Sequence, residues 1–327
     1  MLFHDPETAL QITLLALVAD ALIGDPPLLW RRLPHPVAAF GRLAEWCEGR
    51  WNRPSLPALR RRIRGAAAAL LLIALASLAG LLVAGALSSP YGWLAQSLAA
   101  SVLLAYRGLT DRVGAVAAGL RTDLEAGRDA VRHLVGRDVA RLDDHGIARA
   151  AVESLAENFS DAVLAPCFWL LLFGLPGLFA YKAVNTLDSM WGYRSPRFED
   201  FGRLAARLDD FANLAPARLT ALLFLATAAL FPAADAGAAV RVLRRDARRH
   251  RSPNAGYPEA ALAGALGFRL SGPRSYGQQR CAEPWIGCGR AALDADDIER
   301  ARAFVRTAFL LLCAILAALG ALTAGRG

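Results

Sequence analysis

Residues 65–87 read GAAAALLLIALASLAGLLVAGAL, 23 consecutive residues without a charged side chain. As an α-helix rising roughly 1.5 Å per residue, this stretch is about 34 Å long, which is enough to cross the hydrocarbon core of a bilayer. It therefore predicts a transmembrane helix. The alternative interpretation is a very apolar soluble helical bundle.

Other apolar segments extend this pattern along the chain. Candidate spans lie at Thr8–Gly24, Ala162–Tyr181, Leu214–Ala233 and Ala303–Ala324, and a shorter segment, Trp93–Tyr106, is predicted to pair with the 65–87 helix. The first 30 residues contain no Lys or Arg, which favours a retained first span over a cleaved signal peptide. The sequence predicts an all-α, polytopic membrane protein with about four to six transmembrane or re-entrant helices, forming a single integral membrane domain over residues 1–327.

The composition indicates what kind of molecule or surface the chain associates with. Of 327 residues, 55% are hydrophobic and 20% are charged, which excludes a disordered chain. The 37 basic residues exceed the 29 acidic ones by 8, and Lys182 is the only lysine. A basic, strongly apolar chain indicates a lipid bilayer as its acidic surface and no nucleic acid as partner. A P-loop is excluded because its Gly-Lys-Ser/Thr motif needs a lysine that Lys182, in Ala-Tyr-Lys-Ala, does not supply.

Three polar segments lie between the spans, at residues 107–161, 182–213 and 236–302, and no hydrophobic alternation long enough for a sheet occurs. The positive-inside rule places the arginine-rich segment 25–64 in the cytoplasm and the uncharged turn 88–92 outside. Segment 107–161 then returns to the cytoplasm.

The side on which segment 182–213 lies depends on how its flanking apolar blocks run. If 162–181 and 214–233 each cross the membrane fully, this segment lies outside. The Gly-Leu-Pro-Gly break at 174–177 favours an alternative, a re-entrant hairpin that returns the chain to the same side.

The stretch from residue 151 to residue 161 contains three acids in one helical stripe. Glu153, Glu157 and Asp161 are spaced i, i+4 and i+8, and no Lys or Arg lies between Arg149 and Lys182. Like charges at this spacing destabilise a helix. A Mg²⁺ ion bound by these carboxylates and the Asn158 amide would resolve the conflict, since oxygen ligands suit this cation. The alternatives are a solvated helix face or pairing with distant arginines.

A second group of polar residues follows the third apolar block. Its candidate catalytic and phosphate-binding residues are Asn185, Asp188, Arg194, Arg203, Arg207, Asp209 and Asp210. Arg203 and Arg207 lie one helical turn apart and could both contact phosphate oxygens. The alternative is an amphipathic helix stabilised by Glu199–Arg203 ion pairs.

Two loop segments complete the candidate sites. A Gly-Asp-Pro-Pro and Pro-His-Pro-Val pair spans residues 24–37 and is rigid and extended. Ser-Pro-Asn-Ala-Gly-Tyr-Pro-Glu at 252–259, which contains Asn254, opens a small-residue helix. Free helix N-terminal amides beside the arginines of 244–251 suit a phosphate group. The alternative is a plain loop beside a basic helix on the membrane surface.

Together these segments resemble the CobD/CbiB family. The resemblance rests on GDPP and PHPV at 24–37, ESLAENFSDAVLAP at 153–166, NTLDSMWGYRS at 185–195, DFGRLAARLDDFANLAPARLT at 200–220 and SPNAGYPEAALAGALGFRLSGP at 252–273. It covers about residues 16–290 in order. Departures are Phe159 and Trp191, where smaller residues are expected, and Pro-Arg-Ser-Tyr at 273–276.

The resemblance implies an adenosylcobinamide-phosphate synthase, an integral membrane enzyme of cobalamin biosynthesis. Such an enzyme joins adenosylcobyric acid to (R)-1-amino-2-propanol O-2-phosphate by ATP-dependent amide bond formation. It implies a multi-pass protein of the bacterial plasma membrane with a cytoplasmic active site, which could pass intermediates to other membrane enzymes of the pathway.

The candidate residues fit this chemistry in distinct roles. Mg²⁺ is assigned to Glu153, Glu157 and Asp161; catalysis to Glu153, Glu157, Asp188, Asp209 and Asp210; and ATP and phosphate binding to Asn158, Asn185, Arg194, Arg203, Arg207 and Asn254. The three polar segments are predicted to converge on one cytoplasmic site. The alternative function is a non-catalytic membrane sensor or transporter, related to the signalling protein of β-lactamase induction, whose buried acids would form an ion pathway.

Overall fold

The computed structural model describes residues 5–26, 30–32, 34–135, 139–193, 195–276, 279–281 and 283–325, with the backbone alone at 274–276 and 279–281. The chain divides into two compact units, each assembled from separate stretches. The first unit comprises residues 1–105, 165–213 and 316–327, and the second comprises 106–164 and 214–315. The predicted helical fold is confirmed. The prediction of one domain over residues 1–327 stays a prediction.

The first unit is built from helices. They are α1 (Pro6–Ile23), α2 (Pro36–Trp51), α3 (Ala58–Ala86), α4 (Gly92–Ser101), α8 (Ala165–Trp191) and α9 (Arg203–Ala212). Asp5 accepts a hydrogen bond from the Thr8 amide and thereby caps α1, while His35 caps α2 through the Val37 amide. Both helices then start with a proline, which is pre-organised for the first turn.

The second unit contains the remaining helices and two small strand pairs. The helices are α5 (Tyr106–Thr122), α6 (Leu124–Val131), α7 (Asp144–Phe159), α10 (Leu214–Leu230), α11 (Ala236–Asp246), α12 (Gly256–Leu266) and the start of α13 (Ala295–Ala324). A single π-helical turn, Ser160–Leu164, follows α7, and a 3₁₀ turn, Ala247–Arg249, follows α11.

The strands are too short to give a periodic signal in the sequence. Leu270–Ser271 (β1) pairs antiparallel with Trp285–Ile286 (β4), and Arg274–Tyr276 (β2) pairs with Gln279–Cys281 (β3). Strands of two or three residues cannot show hydrophobic alternation, so the sequence predicted no sheet here.

Four helical stretches are long and apolar enough to cross a membrane, in the part of the chain that the structure describes. These are Pro6–Ile23, Ala58–Ala86, residues 144–191 and Ala295–Ala324. A fifth arises if α9 and α10, which are bent by 41° at their junction, form one span. This agrees with the four to six spans predicted.

The predicted break in the third apolar block reverses the chain. Gly174 has φ 62° and ψ −157°, which is outside the helical region, and Pro176 follows it. A Cβ atom on Gly177 would lie 2.6 Å from the Trp169 carbonyl oxygen, although residues eight apart on a straight helix are about 12 Å apart. Helix α8 is therefore a hairpin of two arms, as the re-entrant alternative requires.

Two glycines let α3 approach its neighbours closely. A Cβ atom on Gly65 would lie 1.9 Å from the Phe201 carbonyl oxygen, and one on Gly80 would lie 2.7 Å from that of Leu175. The short α4, in contrast, packs along α1, so the predicted pairing of Trp93–Tyr106 with the 65–87 helix is wrong. The tight turn at 88–92 directs the chain away from the helix that precedes it.

The two unexpectedly large residues of the family signatures are core residues. Trp191 is 1% exposed and its ring meets Phe201 edge-on at 5.0 Å within the first unit. Phe159 is fully buried in the second unit, where its ring stacks on Phe224 at 5.5 Å. Their size is therefore explained by packing.

Candidate active site

A hydrogen-bonded cluster around Asp209 brings together predicted site residues of the first unit. Asn185 of α8 donates a hydrogen bond to Asp209 Oδ1 at 3.3 Å, and Asn213 donates to Asp209 Oδ2 at 3.0 Å. Tyr181 donates to Asn213 Oδ1 at 2.9 Å and so fixes the amide that faces Asp209. Every one of these hydrogen-bond donors is neutral.

Other acids surround this cluster. The carboxylates of Asp188 and Asp210 lie near enough to repel the charge of Asp209. Asp188 is half-buried and lies on α8 one turn beyond Asn185, whereas Asp210 is exposed. A partly buried carboxylate with amide donors and acidic neighbours is an environment that a cation would stabilise.

The predicted phosphate-binding arginines of this region lie at the surface of α9. Arg203 and Arg207 are both exposed and one helical turn apart, as the spacing predicted. Arg194 lies outside the described residues.

A second polar cluster of the first unit has a different composition. Arg197 donates two hydrogen bonds to Glu48, at 3.0 Å and 2.6 Å, and Asn52 donates a third at 2.8 Å. Arg61 donates to Asn52 and to the carbonyls of Pro196 and Arg197. Burial raises the pKa of Glu48, but hydrogen bonds from Arg197 and Asn52 outweigh it and hold the pKa below its ordinary value. This cluster anchors the loop that follows α8.

In the second unit, Glu153 is held by a residue distant in sequence. Glu153 is 6% exposed and accepts a hydrogen bond from the Ser271 amide at 2.7 Å. Ser271 has φ 61°, a left-handed conformation that costs a non-glycine residue energy. A neutral backbone amide thus supplies the contact that the sequence could not locate.

The other members of the acid stripe lie further along the same helix. Glu157 and Asp161 are half-buried, and Asn158 donates hydrogen bonds to the Ser154 carbonyl and hydroxyl. Asp161 lies in the π-helical turn, a feature often found at functional sites. Among the described residues, no group of three or more His, Cys, Asp or Glu is gathered to hold a metal.

The Ser252–Glu259 loop is held by an arginine that the sequence analysis did not single out. Arg218 donates to Asn254 Oδ1 at 2.9 Å and to the Pro253 carbonyl at 3.2 Å, and it stacks over Tyr257 at 4.0 Å. Burial raises the pKa of Tyr257, yet the guanidinium groups of Arg248 and Arg218 reverse this and lower it. Asn254 is 4% exposed and is engaged by Arg218, and its role in phosphate binding stays a prediction.

The arginine cluster beside this loop is partly engaged by Asp246. Asp246 is fully buried and accepts two hydrogen bonds from Arg245, at 2.7 Å and 2.5 Å, and one from the Gly287 amide at 2.9 Å. Arg249 forms a further ion pair with it at 3.2 Å. Burial raises the pKa of Asp246, but Arg245, the Gly287 amide and Arg249 lower it below the ordinary value overall.

Sequence reasoning missed several residues that position these clusters. They are Tyr181, Asp246, Arg218 and Ser271. Asp246 could have been found as the lone acid among five arginines. Ser271 carries no local signal, because its contact joins residues 118 positions apart.

The features assembled so far define a class: a polytopic helical membrane protein whose polar segments form clusters of carboxylates, amides and arginines. A family model described as CobD/Cbib protein matches residues 13–305. The chain belongs to the CobD/CbiB family.

Curated relatives of the chain cover most of its length. It is 49% identical over 302 residues to the cobalamin biosynthesis protein CobD of Brucella anthropi, covering 90% of this chain and 92% of that protein. It is 46% identical over 316 residues to the protein of the same name in Rhizobium meliloti, covering 94% of each. The Rhodobacter capsulatus protein of that name is 46% identical over 297 residues, covering 90% of this chain and 91% of the relative. No solved structure matches the chain.

Proposed function

We propose that this chain is the adenosylcobinamide-phosphate synthase of cobalamin biosynthesis. The supporting observation is that Asn185, Asp209 and Asn213, which come from two family signatures, form one hydrogen-bonded cluster with Tyr181. Its relatives are named as cobalamin biosynthesis proteins, and the amide-forming step follows from the family resemblance.

The reaction explains why acids and arginines are needed. A carboxylate resists attack by an amine, so the propionate of adenosylcobyric acid first takes the terminal phosphoryl group of ATP, and ADP leaves. The amine of (R)-1-amino-2-propanol O-2-phosphate then attacks the acyl carbon, a C–N bond forms and phosphate leaves. The nitrogen loses its proton to a carboxylate, and we propose Asp188 or Asp210, which lie near Asp209, for this role.

The arginines serve the anionic groups of this reaction. Phosphoryl transfer depends on positioning and charge neutralisation more than on covalent catalysis by the protein. Arg203 and Arg207 project from one exposed stretch of α9, where they can bind phosphate oxygens of either substrate.

The donor chemistry of the clusters fits Mg²⁺. Carboxylate and amide oxygens are its usual protein ligands, and it is commonly held by only one or two carboxylates plus the phosphates of a substrate. One or two of the carboxylates of Glu153, Glu157 and Asp161 would hold it in the second unit, or those of Asp188 and Asp209 would hold it in the first. When bound, Mg²⁺ neutralises phosphate charge.

Membrane placement follows from the apolar helices and the charge pattern. We assign the protein to the bacterial plasma membrane, with the polar segments in the cytoplasm where ATP is available. The hairpin at Gly174 supports this assignment, because it lets 182–213 return to the side from which 107–161 departs.

The test is reconstitution of the purified protein in lipid nanodiscs. ATP should be consumed only when adenosylcobyric acid and the amino-alcohol phosphate are both present, with Mg²⁺, and mass spectrometry should detect the amide. Steady ATP hydrolysis without the corrinoid, or no amide at any Mg²⁺ concentration, contradicts the proposal. The second outcome would favour the sensor or transporter alternative.

A further inference from the structure

An apolar groove of about 290 Å³ lies within the first unit. Its walls come from α2, α3 and α8, and include Val37, Phe40, Leu75 and Phe179. Lys182 and Thr186 are its polar lining residues, among those the structure describes, and no acid lines it. The groove is therefore apolar along most of its length and is lined at one place by the side chain of Lys182.

The position of Lys182 connects this groove to the candidate active site. Asn185 follows Lys182 by three residues on α8, so the two side chains lie on the same face of the helix. Asn185 in turn donates to Asp209. The polar face of α8 therefore runs from the groove to the cluster that contains the predicted catalytic acids.

We propose that this groove, with Lys182, binds the carboxylate-bearing side arm of the acid substrate, an inference that rests on the proposed function. The apolar walls suit the methylene groups of the arm, and the ammonium group of Lys182 suits its carboxylate. A phosphate fits less well, because it is strongly hydrated and needs several donors, whereas the Thr186 hydroxyl of the groove already donates to the Lys182 carbonyl at 2.7 Å. A volume of 290 Å³ accommodates a side arm and leaves the ring outside.

Kinetics of charge variants test this assignment. Lys182→Met keeps the apolar stem and removes the charge, so the KM for adenosylcobyric acid should rise at least about tenfold, as expected for loss of a charge-assisted hydrogen bond. The KM values for ATP and the amino-alcohol phosphate should stay within about twofold. Lys182→Arg should recover most of the affinity, and Arg50→Met, which removes an exposed cation of the same unit, should match the wild type. An unchanged KM for the acid in Lys182→Met overturns the inference.

The wild-type protein provides a test that does not depend on a variant folding. Since Lys182 is the only lysine, trinitrobenzenesulfonate modification of its peptide, measured by mass spectrometry, reports on one side chain. Adenosylcobyric acid should protect Lys182, and the same corrinoid with that carboxylate converted to an amide should protect it at least about tenfold less well. Equal protection by the two corrinoids overturns the inference. Protection without any amide product would instead mean that the proposed reaction is wrong and the carboxylate-binding groove is right.

Discussion

Asp246 and Asp209 illustrate two kinds of surroundings that this chain gives to a carboxylate. Asp246 is fully buried and receives two arginines and a backbone amide. Asp209 accepts hydrogen bonds from the side-chain amides of Asn185 and Asn213 and lies beside two other acids. The first arrangement is electrostatically complete and holds the fold together. The second gives the carboxylate neutral donors and acidic neighbours, so a bound cation would stabilise its charged form, which indicates a functional site.

The largest effect on stability is expected at Asp246. Asp246→Ala removes a buried acceptor from two arginines and leaves the Gly287 amide without this partner, which should lower the free energy of unfolding by about 3 kcal/mol. Asp296→Ala is the matched control, because its carboxylate pairs with Arg121 at the exposed surface. Unfolding in a denaturing detergent titration measures both. If the two variants were equally stable, Asp246 would not be the structural acid described above.

The largest effect on catalysis is expected at Asp209. Asp209→Asn keeps the size of the side chain and removes the negative charge, so amide formation should fall about a hundredfold, equivalent to about 2.7 kcal/mol, with normal membrane levels. Asp200→Asn is the control, because Arg62 holds Asp200 at 2.7 Å and its role is structural on this comparison. The rate of amide formation per amount of folded protein, measured for both variants, distinguishes a loss of catalysis from a loss of folding. Full activity in Asp209→Asn would show that Asp209 is not a functional carboxylate.

The pH dependence of stability should follow the arginine-bound acids. The pKa values of Asp246 and Glu48 lie below their ordinary values in the folded protein. Their stabilisation is therefore complete above the unfolded-state pKa of about 4 and is lost as the pH falls through the lower folded-state pKa. The midpoint temperature of thermal unfolding should be nearly constant from about pH 6 to 8 and should fall below about pH 4. The unfolding temperature of Asp246→Asn should fall less at low pH than that of the wild type. An identical fall in both proteins would show that Asp246 does not contribute to the pH dependence.

Much of the fold could be predicted because helices carry their signal locally. The apolar run at 65–87 lies within α3 except for its last residue, Leu87, and the Gly-Leu-Pro-Gly break marks the reversal in α8. The features that were predicted wrongly or missed depend on contacts between residues that are distant in the sequence. The packing of α4 on α1 follows from how a turn directs the chain, and the two-residue strands have no periodicity of their own.

The candidate site shows the same limit. Asn185 and Asp209 could be selected from their residue types, and the structure joins them directly. The contact between Glu153 and Ser271 could not be found, because a backbone amide has no identity in the sequence. Charge counting along the chain correctly showed that no nearby arginine follows Glu153, and a tertiary hydrogen bond supplies the partner.

The smallest effect on stability, and the sharpest distinction, is expected at Glu157. Its neighbour Glu153 accepts a hydrogen bond from the Ser271 amide, so the acid stripe, like the Asp209 cluster, contains a carboxylate that is bound by a neutral donor. Glu157→Gln removes like-charge repulsion along α7 and should change stability by only a few tenths of a kcal/mol, in the favourable direction. It also replaces a charged oxygen ligand by a neutral one, so amide formation should fall about tenfold and recover partly at raised Mg²⁺. Amide formation assayed across Mg²⁺ concentrations, with detergent unfolding in parallel, measures both effects. Wild-type turnover at limiting Mg²⁺ would show that the stripe is a solvated helix face, and Asp188 and Asp209 would then remain as the metal-binding candidates.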